Sequence, residues 1–189
     1  PSDSGGAAGA GLYAAFVCCG ETPEEVPCFS PYLGPEYGSD EILSSLEKCG
    51  IPFRKVDKPW QEAAKALAGE KIIGWFQGRM ENGPRALGNR SILASPFSPG
   101  IREYLNSQVK KREYFRPFAP VVTREAALRY FELQEPLSDL TRYMLVTTEV
   151  KREYRDIFPG ITHVDGTARI QVVSMAFNHE LYRLLLEFE

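Results

Sequence analysis

The stretch Lys71–Pro96, KIIGWFQGRMENGPRALGNRSILASP, decides the fold class. Its opening, KIIGWFQG, is a short apolar run, which predicts a buried strand. The strand runs directly into a charged, glycine-bearing loop, Gly78–Ser91, and then into the apolar SILASP. That order is where an α/β protein places a ligand site. Within the loop, Gly78, Gly83 and Gly88 allow tight turns that expose backbone N–H groups. Arg79, Arg85 and Arg90 add guanidinium forks that match phosphate or carboxylate oxygens, while Asn89 and Ser91 add neutral hydrogen bonds. The combination predicts a basic anion-binding site. Composition alone leaves a second reading open, a solvated loop whose salt bridges are each worth under about 1 kcal/mol.

Outward from this stretch, helical and extended patterns alternate. Ser39 or Asp40 caps a helix through Ile42, Leu43 and Leu46 that Gly50 ends, IPFRKV from Ile51 reads as a strand, and Pro59 opens a helix closed by Gly69. Beyond the loop, Ile101, Leu105 and Val109 have helical spacing, and Pro117 and Pro120 end any helix before the strand APVVT. Glu125–Phe131 predicts a helix, YMLVTTEV and RIQVVSM predict strands, and Asn178–Phe188 is an amphipathic helix. The order implies an α/β or α+β fold with strands of mixed direction. At the other end, PSDSGGAAGAGLYAAF is a glycine-containing turn running into a closely packed helix. Residues 19–38 carry four of the fourteen prolines and three glycines, which predicts an irregular linker.

A chain of 189 residues, 43% hydrophobic and 25% charged, has the composition of a folded body. Its longest apolar runs, such as Gly9–Cys19, fall well short of the roughly twenty residues a membrane span needs. No secretory address is evident at PSDSGG, so a cytoplasmic location and no membrane partner are expected. Cys18, Cys19, Cys28 and Cys49 form no CxxC pattern, and His163 and His179 lie far away, so the cysteines are expected to be reduced and buried. The net charge of −3 argues against a nucleic-acid partner held by a global basic field. Positive charge is local: from Arg79 to Arg116 eight basic side chains face three acidic ones, a surplus of five.

Three further groupings carry possible chemistry. In VKKREYFRPFAP, from Val109, Lys110 and Arg112 point the same way if the segment is extended, a pair suited to a polyphosphate, and Arg116 lies among aromatics. The same run also reads as a solvated charged face, or as the basic, aromatic surface of a non-catalytic RNA-binding module. In HVDGTARIQVV, a glycine-containing turn holds His163, Asp165 and Arg169 just ahead of a strand, and a satisfied structural histidine is the commoner use of such a residue. Asp3, before the glycines, suits either a metal ligand or a helix cap.

Read in order, DSGGAAGAGLYAA from Asp3, GRMENGPRALGNRSILASP from Gly78, VKKREYFRPFAPVV from Val109 and HVDGTARIQVV from His163 resemble the signatures of the O-carbamoyltransferase family that includes nodulation and cephalosporin-biosynthesis enzymes. The resemblance implies three parts: residues 1–20 as the tail of an actin-like carbamoyl-transfer domain, 21–39 as a linker, and 40–189 as a carbamoyl-adenylation domain. This last part is similar to the tRNA carbamoyladenylate synthase (YrdC-like), a twisted mixed sheet with flanking helices. It implies that ATP and carbamoyl phosphate give carbamoyl-adenylate, whose carbamoyl group passes to a small-molecule hydroxyl acceptor in the chain's own N-terminal actin-like domain with help from a divalent metal, magnesium or iron. It assigns Arg85, Lys110 and Arg112 to catalysis, with Lys110 and Arg112 as a Lys-x-Arg phosphate clamp. Arg79, Gly83, Asn89, Arg90, Ser91, Arg116, His163, Asp165 and Arg169 fall to the nucleotide and carbamoyl-phosphate pocket, and Asp3 to the metal. The family's metal-binding histidines have no match, so His163 and His179 are not promoted to that role. The chain stops at Glu189, before the Asn-Thr-Ser-Phe-Asn strand usual in the family, and so reads as an enzyme fragment in which full carbamoyl transfer is not expected and adenylation is impaired; a blander reading is that it keeps the fold and only docks onto its own missing domain.

Overall fold

The computed structural model describes residues 3–22 and 30–189, with the side chains of Asp3 and Ser4 outside that description. Helix α1 (Asp3–Tyr13) runs through the glycines of the opening, which are helical rather than a turn, and continues as a π-helical stretch, Ala14–Cys18. Helices α2 (Ser39–Lys48) and α3 (Pro59–Ala68) follow, then strands β1 (Ile73–Phe76) and β2 (Arg90–Leu93). Next come a short α4 (Ile101–Tyr104) with a π-helical extension, Leu105–Lys110, strand β3 (Val121–Thr123) and helix α5 (Arg124–Tyr130). Strands β4 (Val146–Glu149) and β5 (Thr167–Val173) and helix α6 (His179–Phe188) complete the order. The fold is α+β, with two small sheets among the described residues.

Sequence signals explain most of these elements. Pro59 occupies the first turn of α3, where its missing N–H costs nothing. Gly50, at φ 63, ends α2 in the left-handed region that a side chain disfavours. The cap of α2 is Gly38 rather than Ser39 or Asp40; its N–H donates to the Glu41 carboxylate at 2.9 Å. Thr123 and Asn178 cap α5 and α6 by accepting from Ala126 and Leu181 N–H groups. IPFRKV forms no strand. Among the described residues no strand pairs with it, Pro52 offers no N–H, and Ile51 and Phe53 are exposed, so little repays extending it. The cysteine expectation also needs correction, since Cys18, Cys19 and Cys49 are free but exposed; Cys28 lies outside the described residues.

The chain divides into two compact units. The first comprises residues up to Arg54 together with Trp75–Ser91, and the second Lys55–Gly74 with Ile92–Glu189. In the second, β5 is the centre of a sheet ordered β3-β5-β4, parallel to β3 (Val121 opposite Gln171) and antiparallel to β4 (Val146 opposite Ile170). Central position explains why β5 is buried on both faces from Ile170 to Val173. Ala168, Ile170 and Val172 pack with Ala127, Phe131, Val150 and Phe158 into the core. Helices α3 and α6 lie together, with the Arg183 guanidinium 4.7 Å from the centre of the Trp60 ring and Gln61 donating to Glu187. This frame carries the segments Lys110–Pro120 and His163–Arg169.

Candidate anion-binding site

In the first unit the Gly78–Ser91 loop is built around a carboxylate. The Glu81 side chain is fully buried, and its Oε1 accepts from the N–H groups of Leu87 at 2.6 Å and Asn89 at 2.8 Å. Its Oε2 accepts from Arg90 Nε at 3.2 Å, and Arg90 Nη2 donates to the Gly83 carbonyl at 2.8 Å. Asn89 Nδ2 donates to the Arg79 carbonyl at 2.7 Å, Gln77 Nε2 donates to the Gly88 carbonyl and Asn89 Oδ1, and Ser91 Oγ accepts from Gly88 N–H. Gly78 (φ 50), Gly83 (φ 119) and Gly88 (φ 106) sit in backbone regions that let the chain fold over this centre. Residues 31–35 strap the loop from outside. Tyr32 Oη donates to the Leu87 carbonyl, Asn82 N–H to that of Pro31 at 2.7 Å, Met80 N–H to that of Pro35, and Gly34 N–H to that of Met80.

The arginines therefore differ. Arg90 and Arg79 are tied into the loop, Arg79 through Nε to the Gly34 carbonyl at 3.2 Å. Asn89 is buried and serves the loop's own backbone. Arg85 is exposed and, among the described residues, makes no hydrogen bond or ion pair, so its five donors remain for a ligand. In the charge count Glu81 figured only as one of three acidic residues; the structure makes it the organising group. A buried carboxylate needs donors, and a loop of glycines with free N–H groups is the signal that could have revealed it.

In the second unit, Lys110–Pro120 is not extended. Lys110 ends a π-helical turn and Lys111 is left-handed at φ 51, so the two-residue alternation that would align Lys110 with Arg112 does not operate. The segment is gathered instead around Asn106, whose Oδ1 accepts from Arg112 Nε at 2.7 Å. The Arg112 guanidinium carbon lies 4.7 Å from the centre of the Phe118 ring. With Nε and one face engaged, its two terminal nitrogens have no hydrogen-bond partner among the described residues and form a fixed fork. Burial, and then the nearby Arg116 cation, lower the Arg112 pKa against the opposing pull of Glu113. Guanidinium stays charged, so an incoming anion would relieve an unfavourable burial. Lys110 also makes no hydrogen bond or ion pair among the described residues. Arg116 is matched to Glu113 at 2.9 Å, and Arg102 to Glu103 at 2.8 Å. With Arg90 on Glu81, all three acidic residues of the basic stretch are used, and the surplus falls on Arg79, Arg85, Lys110, Lys111 and Arg112.

The His163–Arg169 turn forms a separate hydrogen-bonded assembly. Asp165 Oδ1 accepts from Thr167 N–H at 3.0 Å and Thr167 Oγ1 at 2.7 Å, bonds that hold its pKa below the usual aspartate value. Because the Thr167 hydroxyl spends its proton on Asp165, it can only accept from His163 Nδ1, 3.3 Å away. His163 Nε2 is then a bare acceptor, buried without a hydrogen-bond partner among the described residues. Gly166, at φ 80, turns the chain over Arg155, whose guanidinium would lie 2.6 Å from an added Cβ. Arg169 lies on β5 opposite Thr147.

Burial lowers the His163 pKa below 6.5, as do Arg169 and Arg102, while Asp165 raises it. A base whose folded pKa is depressed stabilises the fold fully above its unfolded value. It loses that contribution as pH falls through the unfolded value towards the folded one. Stability is therefore expected to decline below about pH 6.5, and His163→Gln to flatten that acid limb in denaturation midpoints measured across pH. Superimposable acid limbs for the two proteins would remove His163 as the titrating group.

Other features bear on what the site can hold. Among the described residues no group of three or more His, Cys, Asp or Glu side chains is placed to share a metal ion, and the Asp3 side chain lies outside them. No described helix is long and apolar enough to cross a membrane. The second unit also holds a cavity of about 370 Å3 walled by apolar groups including Phe97, Leu105, Phe131 and Leu184, with Arg129 and Glu189 its charged wall residues. Its mostly apolar lining offers an anion few partners.

The family profile described as the carbamoyltransferase C-terminus matches residues 64–189, which takes in the whole glycine-arginine loop, the Asn106-centred segment and the histidine turn. The chain belongs to the carbamoyltransferase family. Nodulation protein NolNO of Sinorhizobium fredii is 39% identical over 187 residues, covering 96% of this chain and 27% of its own length. Nodulation protein U of Bradyrhizobium diazoefficiens is 37% identical over 191 residues, covering all of this chain and 31% of its own length. An uncharacterised protein of Methanocaldococcus jannaschii is 39% identical across 99% of the chain and 31% of its length. The chain thus spans 27–31% of the length of these curated relatives.

Proposed function

We propose that this chain is the adenylation portion of an ATP-dependent O-carbamoyltransferase, with a domain like the tRNA carbamoyladenylate synthase. Water hydrolyses carbamoyl phosphate to carbamate and inorganic phosphate; a carbamate oxygen then attacks the α-phosphorus of ATP, and pyrophosphate leaves as carbamoyl-adenylate forms. Charge in such a step spreads over phosphoryl oxygens, so preorganised cations matter more than a nucleophilic side chain. The observation that carries the reading is the Arg112 fork, fixed at Nε and over Phe118 with both terminal nitrogens uncommitted among the described residues. Lys110 and Arg85 are cations of the same kind, exposed without an internal partner among those residues. In the whole protein of this reading, an actin-like domain supplies the divalent metal, magnesium or iron, and the pocket for the acceptor hydroxyl, in a cytoplasmic enzyme.

The reading is tested by carbamoyl-phosphate-dependent exchange of labelled pyrophosphate into ATP, using the protein in the full length of its relatives. Arg112→Ala and Arg85→Ala are each expected to lower the exchange rate about 100-fold, the scale of losing one preorganised transition-state donor. Exchange that ignores carbamoyl phosphate, or that survives Arg112→Ala unchanged, would sink the assignment.

A further inference from the structure

Asn106 is completely buried in the π-helical turn Leu105–Lys110. Its Nδ2 donates to the carbonyls of Tyr114 at 3.0 Å and Arg116 at 2.9 Å, and its Oδ1 accepts from Arg112 Nε at 2.7 Å. Its own carbonyl accepts from the N–H groups of Lys111 and Arg112, closing the left-handed step at Lys111. The amide has one workable orientation. Reversed, its NH2 would face the Arg112 N–H and its oxygen two carbonyls. One side chain thus sets the direction of Arg112 and the path of residues 113–116.

We propose that Asn106 is a positioning residue for adenylation, acting through Arg112: it fixes the guanidinium at Nε so that both terminal nitrogens are presented to the anionic substrate. This rests on the clamp reading of Lys110 and Arg112. The left-handed backbone at Lys111, uncommon for a residue with a side chain, is held between the two cations by Asn106.

A double-mutant cycle on the full-length protein tests it by pyrophosphate exchange. Asn106→Leu, of similar volume, is expected to lower exchange about 100-fold, as misplacement of a reacting-site group does. In the Arg112→Ala background the same change is expected to add under about threefold, because its target is gone. Asn106→Asp, which keeps an oxygen for Arg112 Nε, is expected to retain a clearly larger share of activity than Asn106→Leu. It also serves if Asn106→Leu does not fold. Losses that multiply in the double mutant would make Asn106 an independent structural residue and overturn the proposal. So would full exchange in Asn106→Leu alongside a crippled Arg112→Ala, with the clamp reading left standing. Full exchange in Arg112→Ala would remove the clamp itself and Asn106's role with it. A folded Asn106→Asp as inactive as Arg112→Ala would also count against the proposal.

Discussion

Glu81→Ala is expected to lower stability by about 2–5 kcal/mol and to release the Gly78–Ser91 loop, because two buried N–H groups, each worth about 1–3 kcal/mol when left unpaired, lose their acceptor. Those groups belong to Leu87 and Asn89, which are 5% and 7% exposed, so water does not readily replace the carboxylate. Arg90 loses its partner as well, but its partial exposure softens that loss. Glu81→Gln separates the two effects. Its remaining oxygen still accepts from both N–H groups, while its NH2 confronts Arg90 Nε, so a smaller loss of about 1–2 kcal/mol is expected. Denaturant titration gives the magnitude, and amide hydrogen exchange locates it. Undiminished protection of the Leu87 and Asn89 amides in Glu81→Ala would show that something else holds the loop. Arg85, which takes no part in the network, is then the control; Arg85→Ala is expected to leave this protection intact.

Phe131→Ala has the other large expected effect. Phe131 is 1% exposed in the core, at a backbone bridge with Val150 just past the end of α5. Removing a buried ring costs about 3–5 kcal/mol through lost transfer energy and the cavity left behind. The neighbouring Glu132 N–H donates to the Glu149 carbonyl, and Val150 N–H donates to that of Gly166 at 2.9 Å, so the bridge continues into the histidine turn. A drop in melting temperature should therefore be accompanied by faster exchange at Val150. Phe131→Leu, which fills most of the space, should cost under about 1.5 kcal/mol. A stable Phe131→Ala with an unaltered Val150 amide would separate the turn from the core.

Much of the fold was legible because it rests on local signals. Apolar periodicity marked α3 and α6, Pro59 and Gly50 marked ends, and the short apolar runs at Ile73–Phe76 and Thr167–Val173 are strands. IPFRKV misled because β-propensity says nothing about whether a partner strand exists. The loop's glycines behave as their pattern suggests, with φ values no side chain favours. Glu81 and Asn106 were not legible, since each acts through backbone groups six to ten residues further along, and no spacing rule encodes that geometry. A hint existed at Asn106: an asparagine is a poor helix former, and here it sits within a helical pattern four residues before three consecutive cations. Lys110 and Arg112 are legible as a cation pair two residues apart, but the extended chain that would align them is absent: a left-handed turn at Lys111 stands in its place.

The strap across the arginine loop limits how this protein can be recombined. Tyr32, Gly34, Pro31 and Pro35 each bond to a loop residue some fifty positions later. A cross-over with a relative anywhere between residues 36 and 77 would therefore join a loop to a strap that did not evolve with it. Gly34 tightens the restriction, because a Cβ there would stand 2.9 Å from the Met80 carbonyl oxygen. The heritable module for the loop is thus residues 31–91 taken whole, and exchanges intended to alter its ligand have to move the strap along with the arginines.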